Sequence, residues 1–154
     1  MDQLSTSVES TTPDPVSQFS IFTENKVGRL GDLIKLFTNH NIHVQALTTL
    51  DTTDSAILRV IVDDPDRTRM LLEEHAISYS ESDVLVVEIA GEHDIDSVLA
   101  AILEVEVNIH YIYSFLSRPN GRGAVAASIE DMDMASDALK RRNLKVLSQR
   151  DISR

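Results

Sequence analysis

The chain has 154 residues, of which 42% are hydrophobic and 25% are charged, a composition typical of globular proteins. Its formal net charge of −11 repels phosphate backbones and anionic lipid surfaces, so neither nucleic acid nor a membrane is expected as a partner. The chain has no cysteine, which excludes disulfides and thiolate chemistry, and its start lacks a signal-peptide pattern. With no apolar run of transmembrane length, these features predict a cytoplasmic protein.

The amino-terminal third begins with a polar segment and continues with a strand and a helix. Residues 1–16 are rich in Ser, Thr, Asp and Pro and predict a disordered arm. Residues 18–24 alternate as a half-buried strand does. From Gly28 to Asn39 a helix is predicted, because apolar side chains recur at i, i+3, i+4 and i+7, namely Leu30, Leu33, Ile34 and Phe37.

Two strands, a helix and a further strand follow. Residues 42–50 and 56–62 predict strands on either side of a polar turn at 51–54. Asp64 followed by Pro65 is typical of a helix start, and Met70, Leu71 and Leu72 are expected to supply the buried face of that helix. Residues 77–82 predict a fourth strand, which completes the order βαββαβ.

The same order then repeats. A shift of 65 residues places Leu33 on Val98 and Phe37 on Ile102, and after a longer hairpin at 118–123 the shift becomes 67. The predicted fold class is therefore α+β, with two tandem ferredoxin-like βαββαβ units that have antiparallel sheets and helices on one face. We expect the units to span residues 17–82 and 83–154, with the fourth strand of the first running almost directly into the first strand of the second.

Two such units are expected to leave sheet edges, and a sheet face without helices, that a single chain does not cover. Exposed edges and faces of this kind favour association. The sequence therefore predicts a homodimer.

The segment from Glu24 to Leu30 connects the first strand to the first helix. A glycine at position 28 allows close approach of a ligand, and the free N–H groups of the first helical turn attract a carboxylate. Lys26 and Arg29 place positive charge beside the same turn. The spacing alone is equally typical of an ordinary tight turn with solvated side chains.

The run Glu24-Asn25-Lys26-Val27-Gly28-Arg29-Leu30-Gly31-Asp32-Leu33, followed by Asn41-Ile42-His43-Val44, resembles the opening of an ACT domain. Val27 stands where that family usually has proline, and Gly28 keeps the family's glycine. Residues 57–65 and 111–118 also resemble the family, and the likeness covers residues 18–148.

The resemblance implies a non-catalytic regulatory protein that binds an amino acid or a similar small molecule at interfaces between ACT units. In such modules the first turn of one unit meets the second strand of a neighbour. Carried onto this sequence, the ligand-binding residues would be Asn25, Val27, Gly28, Arg29, Leu30, Thr48, Thr49, Tyr113 and Ser114. In the second unit His93 falls on Gly28 and Asp94 on Arg29, so a site is expected in the first unit only.

No residue pattern indicates a catalytic group, a metal site or a cofactor. The five histidines lack metal-ligand spacing, and the aspartates fall in turns and at helix starts. Neither a phosphate-binding glycine-rich loop nor a nucleophile elbow occurs.

Three alternatives remain at this stage. The chain could be the regulatory subunit of a separate metabolic enzyme, similar to the small subunit of acetolactate synthase. Acylphosphatase shares the βαββαβ order, but its glycine-rich phosphate loop is missing here. RNA binding on the sheet would need exposed aromatics on the central strands, and residues 56–62 contain none.

Overall fold

The computed structural model describes residues 14–153. The first thirteen residues, on which most of the predicted arm falls, lie outside the described residues. Strand β1 begins at Val16, two residues earlier than the alternation suggested, and Val16 is completely buried. The last residues assigned to the arm therefore lead into the sheet.

The first half has the predicted order, with helix and strand bounds close to those expected. β1 spans Val16–Glu24, α1 Arg29–Asn39, β2 Val44–Asp51, β3 Ser55–Val62 and α2 Pro65–Glu74. Asp64 caps α2, because its Oδ1 accepts a hydrogen bond of 3.1 Å from the N–H of Arg67. Asn41, just after α1, has a φ of 58°, and this left-handed conformation ends the helix.

The second half repeats this order. β4 spans Tyr79–Ile89, α3 Glu92–Glu104, β5 Ile109–Ser114, β6 Gly123–Ile129, α4 Met132–Arg141 and β7 Val146–Leu147. A short helix, α5, follows at Gln149–Ile152 and has a capping box between Ser148 and Asp151. Asn120 and Gly121 both have positive φ, which gives the β5–β6 hairpin its tight turn.

The two halves share one strand. Residues Tyr79 to Val84 of β4 pair antiparallel with β1, and residues Leu85 to Ile89 pair antiparallel with β6. The strand order is β2-β3-β1-β4-β6-β5, with β7 also paired to β4. Each half thus has the predicted ferredoxin-like order, and β4 is both the last strand of the first half and the first strand of the second.

Three buried apolar clusters follow from the alternation of side chains along the strands. Phe19 and Ile21 of β1 pack with α1 and α2, and Leu85 and Val87 of β4 pack with α3 and α4. The third cluster, here called the central layer, joins the helix-free faces of both halves and includes Ala46, Ile61, Val86, Ala124 and Ala126. The expectation of an uncovered sheet face is therefore wrong, because each half covers the other.

The outer strands of the sheet also meet. Ala46 of β2 forms an isolated bridge with Phe115, and the N–H of Leu116 donates to the carbonyl of Gln45 at 2.8 Å. Among residues 14–153, the rest of the outer edge of β2 has no strand partner. An edge therefore remains for association, although the face does not.

The buried side of α2 differs from the prediction. Leu71 and Leu72 are buried, but Met70 is largely exposed, and Thr68 is completely buried in its place. The helical period explains the difference, since positions 68, 71 and 72 share a face and position 70 points away from it.

Candidate functional site

The turn before α1 contains a glycine in a left-handed conformation and is hydrogen-bonded to the β2–β3 hairpin. Gly28 has a φ of 90°, a left-handed conformation that favours glycine, and it precedes α1 without any side-chain cap. The first turn of α1 therefore keeps N–H groups that have no intrahelical acceptor. Asn25 ties this segment to the β2–β3 hairpin, because its Nδ2 donates to the carbonyl of Thr52 at 3.2 Å.

A cavity of about 230 Å³ lies between this turn, the end of β2 and the start of β3. Four of the nine predicted site residues line it, namely Asn25, Arg29, Leu30 and Thr49. We call it the turn cavity. Residues that sequence reasoning did not assign to the site complete the walls, among them Glu24, Lys26, Leu33, Asp51, Ile57 and Leu58.

The other predicted residues do not line the turn cavity. Val27 and Gly28 belong to the turn itself, and Val27 is fully exposed. Thr48 lies on the opposite face of β2 from Thr49, because successive side chains of a strand alternate. Tyr113 packs against the central layer and Ser114 is exposed on β5. Within one chain, the strand residues of the second half are therefore not brought to the turn.

Charged groups at the turn cavity differ in whether they are paired. Lys26 lies 2.7 Å from Glu24, and this hydrogen bond, together with the charge of Lys26, lowers the pKa of the Glu24 carboxyl. In contrast, Arg29 and Asp51 form no ion pair or side-chain hydrogen bond with any residue of the range 14–153. The cavity thus offers one unpaired cation and one unpaired anion.

A second depression, of about 430 Å³, opens between the start of α1 and residues 76–78. It shares Thr23, Glu24, Arg29 and Leu33 with the turn cavity. Arg29 therefore faces both recesses at the amino-terminal end of α1.

The corresponding turn of the second half is built differently. α3 begins at Glu92 after Gly91, whose backbone is extended, and Asp94 accepts a hydrogen bond of 2.6 Å from the N–H of Ala90. The chain thus supplies its own carboxylate beside this turn. Glu92 and Asp94 add negative charge where the first half has Lys26 and Arg29.

A larger and more polar depression, of about 560 Å³, lies where the two halves meet. His43 donates to the buried carboxylate of Asp63 from its backbone N–H at 2.8 Å, and its Nδ1 lies 2.9 Å from the other carboxylate oxygen. Arg69 forms ion pairs with Asp66 and Glu81. The contacts His43–Asp63 and Arg69–Asp66 pair four of the ionisable side chains here, while Asp64 and Arg67 form no ion pair among the described residues. None of the predicted site residues lines this depression, so the turn cavity is the better candidate for a ligand site.

Neither a metal centre nor a membrane segment is found in the described part of the chain. Residues 14–153 contain no group of three or more His, Cys, Asp or Glu side chains placed to hold a metal ion. None of the helices in that range is both long and apolar enough to cross a membrane.

Comparisons with known proteins agree with this architecture. The family model of the ACT domain pair matches residues 15–154. A solved structure of a protein from Bacteroides thetaiotaomicron is 30% identical and superposes with a TM-score of 0.80, covering 90% of this chain and 95% of that one. No curated protein sequence matches the chain.

More distant structures share the fold. The ligand-free regulatory subunit of aspartate kinase from Thermus thermophilus has a TM-score of 0.56 at 14% identity, covering 84% of this chain and 93% of that one. The regulatory subunit of aspartate kinase from Thermus flavus has a TM-score of 0.53 at 15% identity, covering 82% and 92%. The family match over nearly the whole chain, together with the ferredoxin-like order of both halves, shows that this chain belongs to the ACT domain family as an ACT domain pair.

Proposed function

We propose that the protein is a cytoplasmic, non-catalytic sensor that binds an amino acid or a similar small molecule in the turn cavity. Membership of a family of regulatory domains supports a regulatory role. The observation that carries the proposal is that Asn25, Arg29, Leu30 and Thr49, which the family resemblance suggests as ligand contacts, line one cavity.

The physical case rests on the amino-terminal end of α1. A carboxylate in the turn cavity would meet the guanidinium of Arg29 and the partial positive charge of the helix terminus. In the second half, Glu92 and Asp94 oppose a carboxylate at the equivalent turn. We therefore assign the site to the first half.

A screen of the twenty amino acids by thermal shift, followed by calorimetry, tests the proposal. A ligand at 100 times its Kd raises the free energy of unfolding by about 2.7 kcal/mol. Arg29→Gln should weaken binding about tenfold or more, because a charge-assisted hydrogen bond is lost. His93→Ala, at the position equivalent to Gly28, is the matched control and should bind like the parent protein.

Two results would contradict this assignment. One is a flat response to all twenty amino acids, which would shift the function towards contact with a protein partner such as a metabolic enzyme. The other is loss of binding in His93→Ala with full binding in Arg29→Gln, which would place the site in the second half. Co-purification with an enzyme would favour the role of a regulatory subunit.

We further propose that the protein acts as a homodimer. The turn cavity is open to solvent and is bordered by exposed apolar side chains at Val27 and Leu30. The outer edge of β2 beside it has no strand partner within residues 14–153. A neighbouring subunit could bring its Thr48 or Ser114 to the site, whereas its Tyr113 packs in the central layer against Gln18. Sedimentation at tens of micromolar protein, with and without ligand, should show a dimer. A monomer under both conditions would contradict the proposed homodimer.

A further inference from the structure

The turn cavity combines an aliphatic floor with two unpaired, opposite charges. Resting on the proposed function, we propose that its ligand is an α-amino acid with an uncharged, aliphatic side chain of the size of valine, leucine or isoleucine. The two charges would bind the α-carboxylate and α-ammonium groups of the ligand. The leucine side chains at the base of the cavity would contact the ligand side chain and determine which side chains fit.

The charged groups lie on different elements. Arg29 is the first residue of α1, and Asp51 is the last residue of β2. Both line the cavity, and neither forms an ion pair among the described residues, whereas the adjacent Lys26 and Glu24 pair with each other. Arg29 is near enough to Glu24 for its charge to help lower the pKa of that carboxyl. An α-carboxylate pairs with Arg29 and an α-ammonium with Asp51, so a zwitterion satisfies both and a simple carboxylic acid only one.

The second half lacks both members of this pair. Under the repeat, Arg29 corresponds to Asp94 and Asp51 to Leu116. The loss of both positions together is expected if they serve one ligand, and it agrees with a single site per chain.

The cavity floor is made of aliphatic side chains. Leu33 and Leu58 are 8% and 2% exposed, and Leu30 forms the outer wall at 44% exposure. A hydroxyl or charge placed against Leu33 and Leu58 would lose water and gain no hydrogen bond from those two side chains, although Thr23 and Thr49 also line the cavity. Each buried methylene instead raises affinity about fourfold, so leucine, with three more carbons, should bind about 60-fold tighter than alanine.

Charge around the opening acts against acidic side chains. Glu24 and Asp51 line the cavity, and Asp32 follows within the first turn of α1. When Arg29 pairs with the α-carboxylate of a ligand, a second carboxylate on the ligand side chain would be repelled by these acidic residues. Aspartate and glutamate are therefore expected to bind more weakly than their aliphatic counterparts.

Isothermal titration of the full chain with pairs of similar ligands tests the selection. Valine and threonine differ by a methyl group in place of a hydroxyl, and valine should bind at least tenfold tighter. Leucine should exceed 4-methylpentanoate, which lacks the ammonium group, by about tenfold or more. Asp51→Asn should remove most of that difference, whereas Asp54→Asn, in the adjacent hairpin turn, should retain it.

A separate substitution tests the preference for an aliphatic ligand side chain. Leu30 is half exposed, so Leu30→Thr should fold normally and lower the preference for leucine over alanine by about fivefold or more. The proposed preference is contradicted if threonine, lysine, aspartate or phenylalanine binds as tightly as the best aliphatic amino acid. It is also contradicted if Asp51→Asn still binds leucine about tenfold more tightly than 4-methylpentanoate. Either of these results would leave the proposed amino-acid binding in the turn cavity uncontradicted. If no amino acid binds at all, the proposed function fails and the preference fails with it.

Discussion

The side chain of Gln18 in the first half donates a hydrogen bond of 2.6 Å to the hydroxyl of Tyr111 in the second half. Gln18 is completely buried, and its Oε1 accepts a second hydrogen bond, of 2.5 Å, from the hydroxyl of Tyr113. The guanidinium of Arg59 lies 3.9 Å above the ring of Tyr111. A polar network thus crosses the central layer and holds the two helix-free faces in one register.

Removing one hydroxyl from this network should be costly. Burial raises the pKa of Tyr113, so its hydroxyl keeps its proton and remains a donor. Tyr113→Phe leaves the buried Oε1 of Gln18 without that donor and should lower the free energy of unfolding by about 1–3 kcal/mol in urea titrations. Tyr79→Phe removes an exposed contact to Glu73 and should cost about 0.5 kcal/mol or less. Equal losses in the two variants would contradict this role for the network.

The ion pair between α2 and β4 should make stability depend on pH. Arg69 donates to both oxygens of Glu81, at 2.9 and 2.7 Å, and these hydrogen bonds lower the pKa of the Glu81 carboxyl. Because the folded-state pKa is the lower one, this stabilisation is present above the unfolded-state pKa and is lost as the pH falls through the folded-state pKa.

Glu81→Gln should therefore be less stable than the parent protein near pH 7, and the difference should narrow in acid. Urea titrations at several pH values from about 7 down to about 3 measure it. Glu74→Gln, which changes a carboxylate without an ion pair in the described range, should show a smaller, nearly constant difference. If the loss of unfolding free energy in Glu81→Gln instead grows as the pH falls, the ion pair with Arg69 is not the source of the pH dependence.

Two glycines three residues apart should respond in opposite ways to alanine. Gly28 has a φ of 90°, so Gly28→Ala forces a side chain into a left-handed conformation and should destabilise by about 1–2 kcal/mol, although space for the Cβ is open. Gly31 lies inside α1 with open space around it, and Gly31→Ala should stabilise by up to about 1 kcal/mol. Thermal denaturation of both variants checks the signs, and a stabilising Gly28→Ala would exclude the strained turn.

The buried carboxylate of Asp63 should tolerate little change. It accepts from the backbone N–H of His43 at one oxygen and faces the ring Nδ1 at the other, and it joins the start of β2 to the end of β3. In Asp63→Asn one acceptor becomes a donor, which should cost about 1–3 kcal/mol of unfolding free energy in urea. Asp54→Asn, at an exposed turn, should stay within about 0.5 kcal/mol of the parent protein. Similar values for both variants would show that the contact contributes little.

The turn cavity was only partly predictable from the sequence. Gly28 and the charge of Arg29 indicated the turn, because glycine before a helical stripe and a flanking cation are local features. Asp51 and Leu58 gave no such indication, since an aspartate in a hairpin and a leucine in a strand are ordinary in those positions. Their role depends on β2 and β3 lying beside α1, a contact between segments far apart in the sequence.

The sequence by itself determined the order of helices and strands, the repeat and the ferredoxin-like topology of each half. Hydrophobic periods and helix caps are set by residues a few positions apart, so they can be read along the chain. The tertiary structure decided that β4 serves both halves, that the helix-free faces pack on each other, and that Tyr113 is buried with Gln18 instead of facing the ligand turn. These outcomes depend on which surfaces meet across more than ninety residues, and the packing of Ala46, Ile61, Val86 and Ala126 that selects them has no local signal.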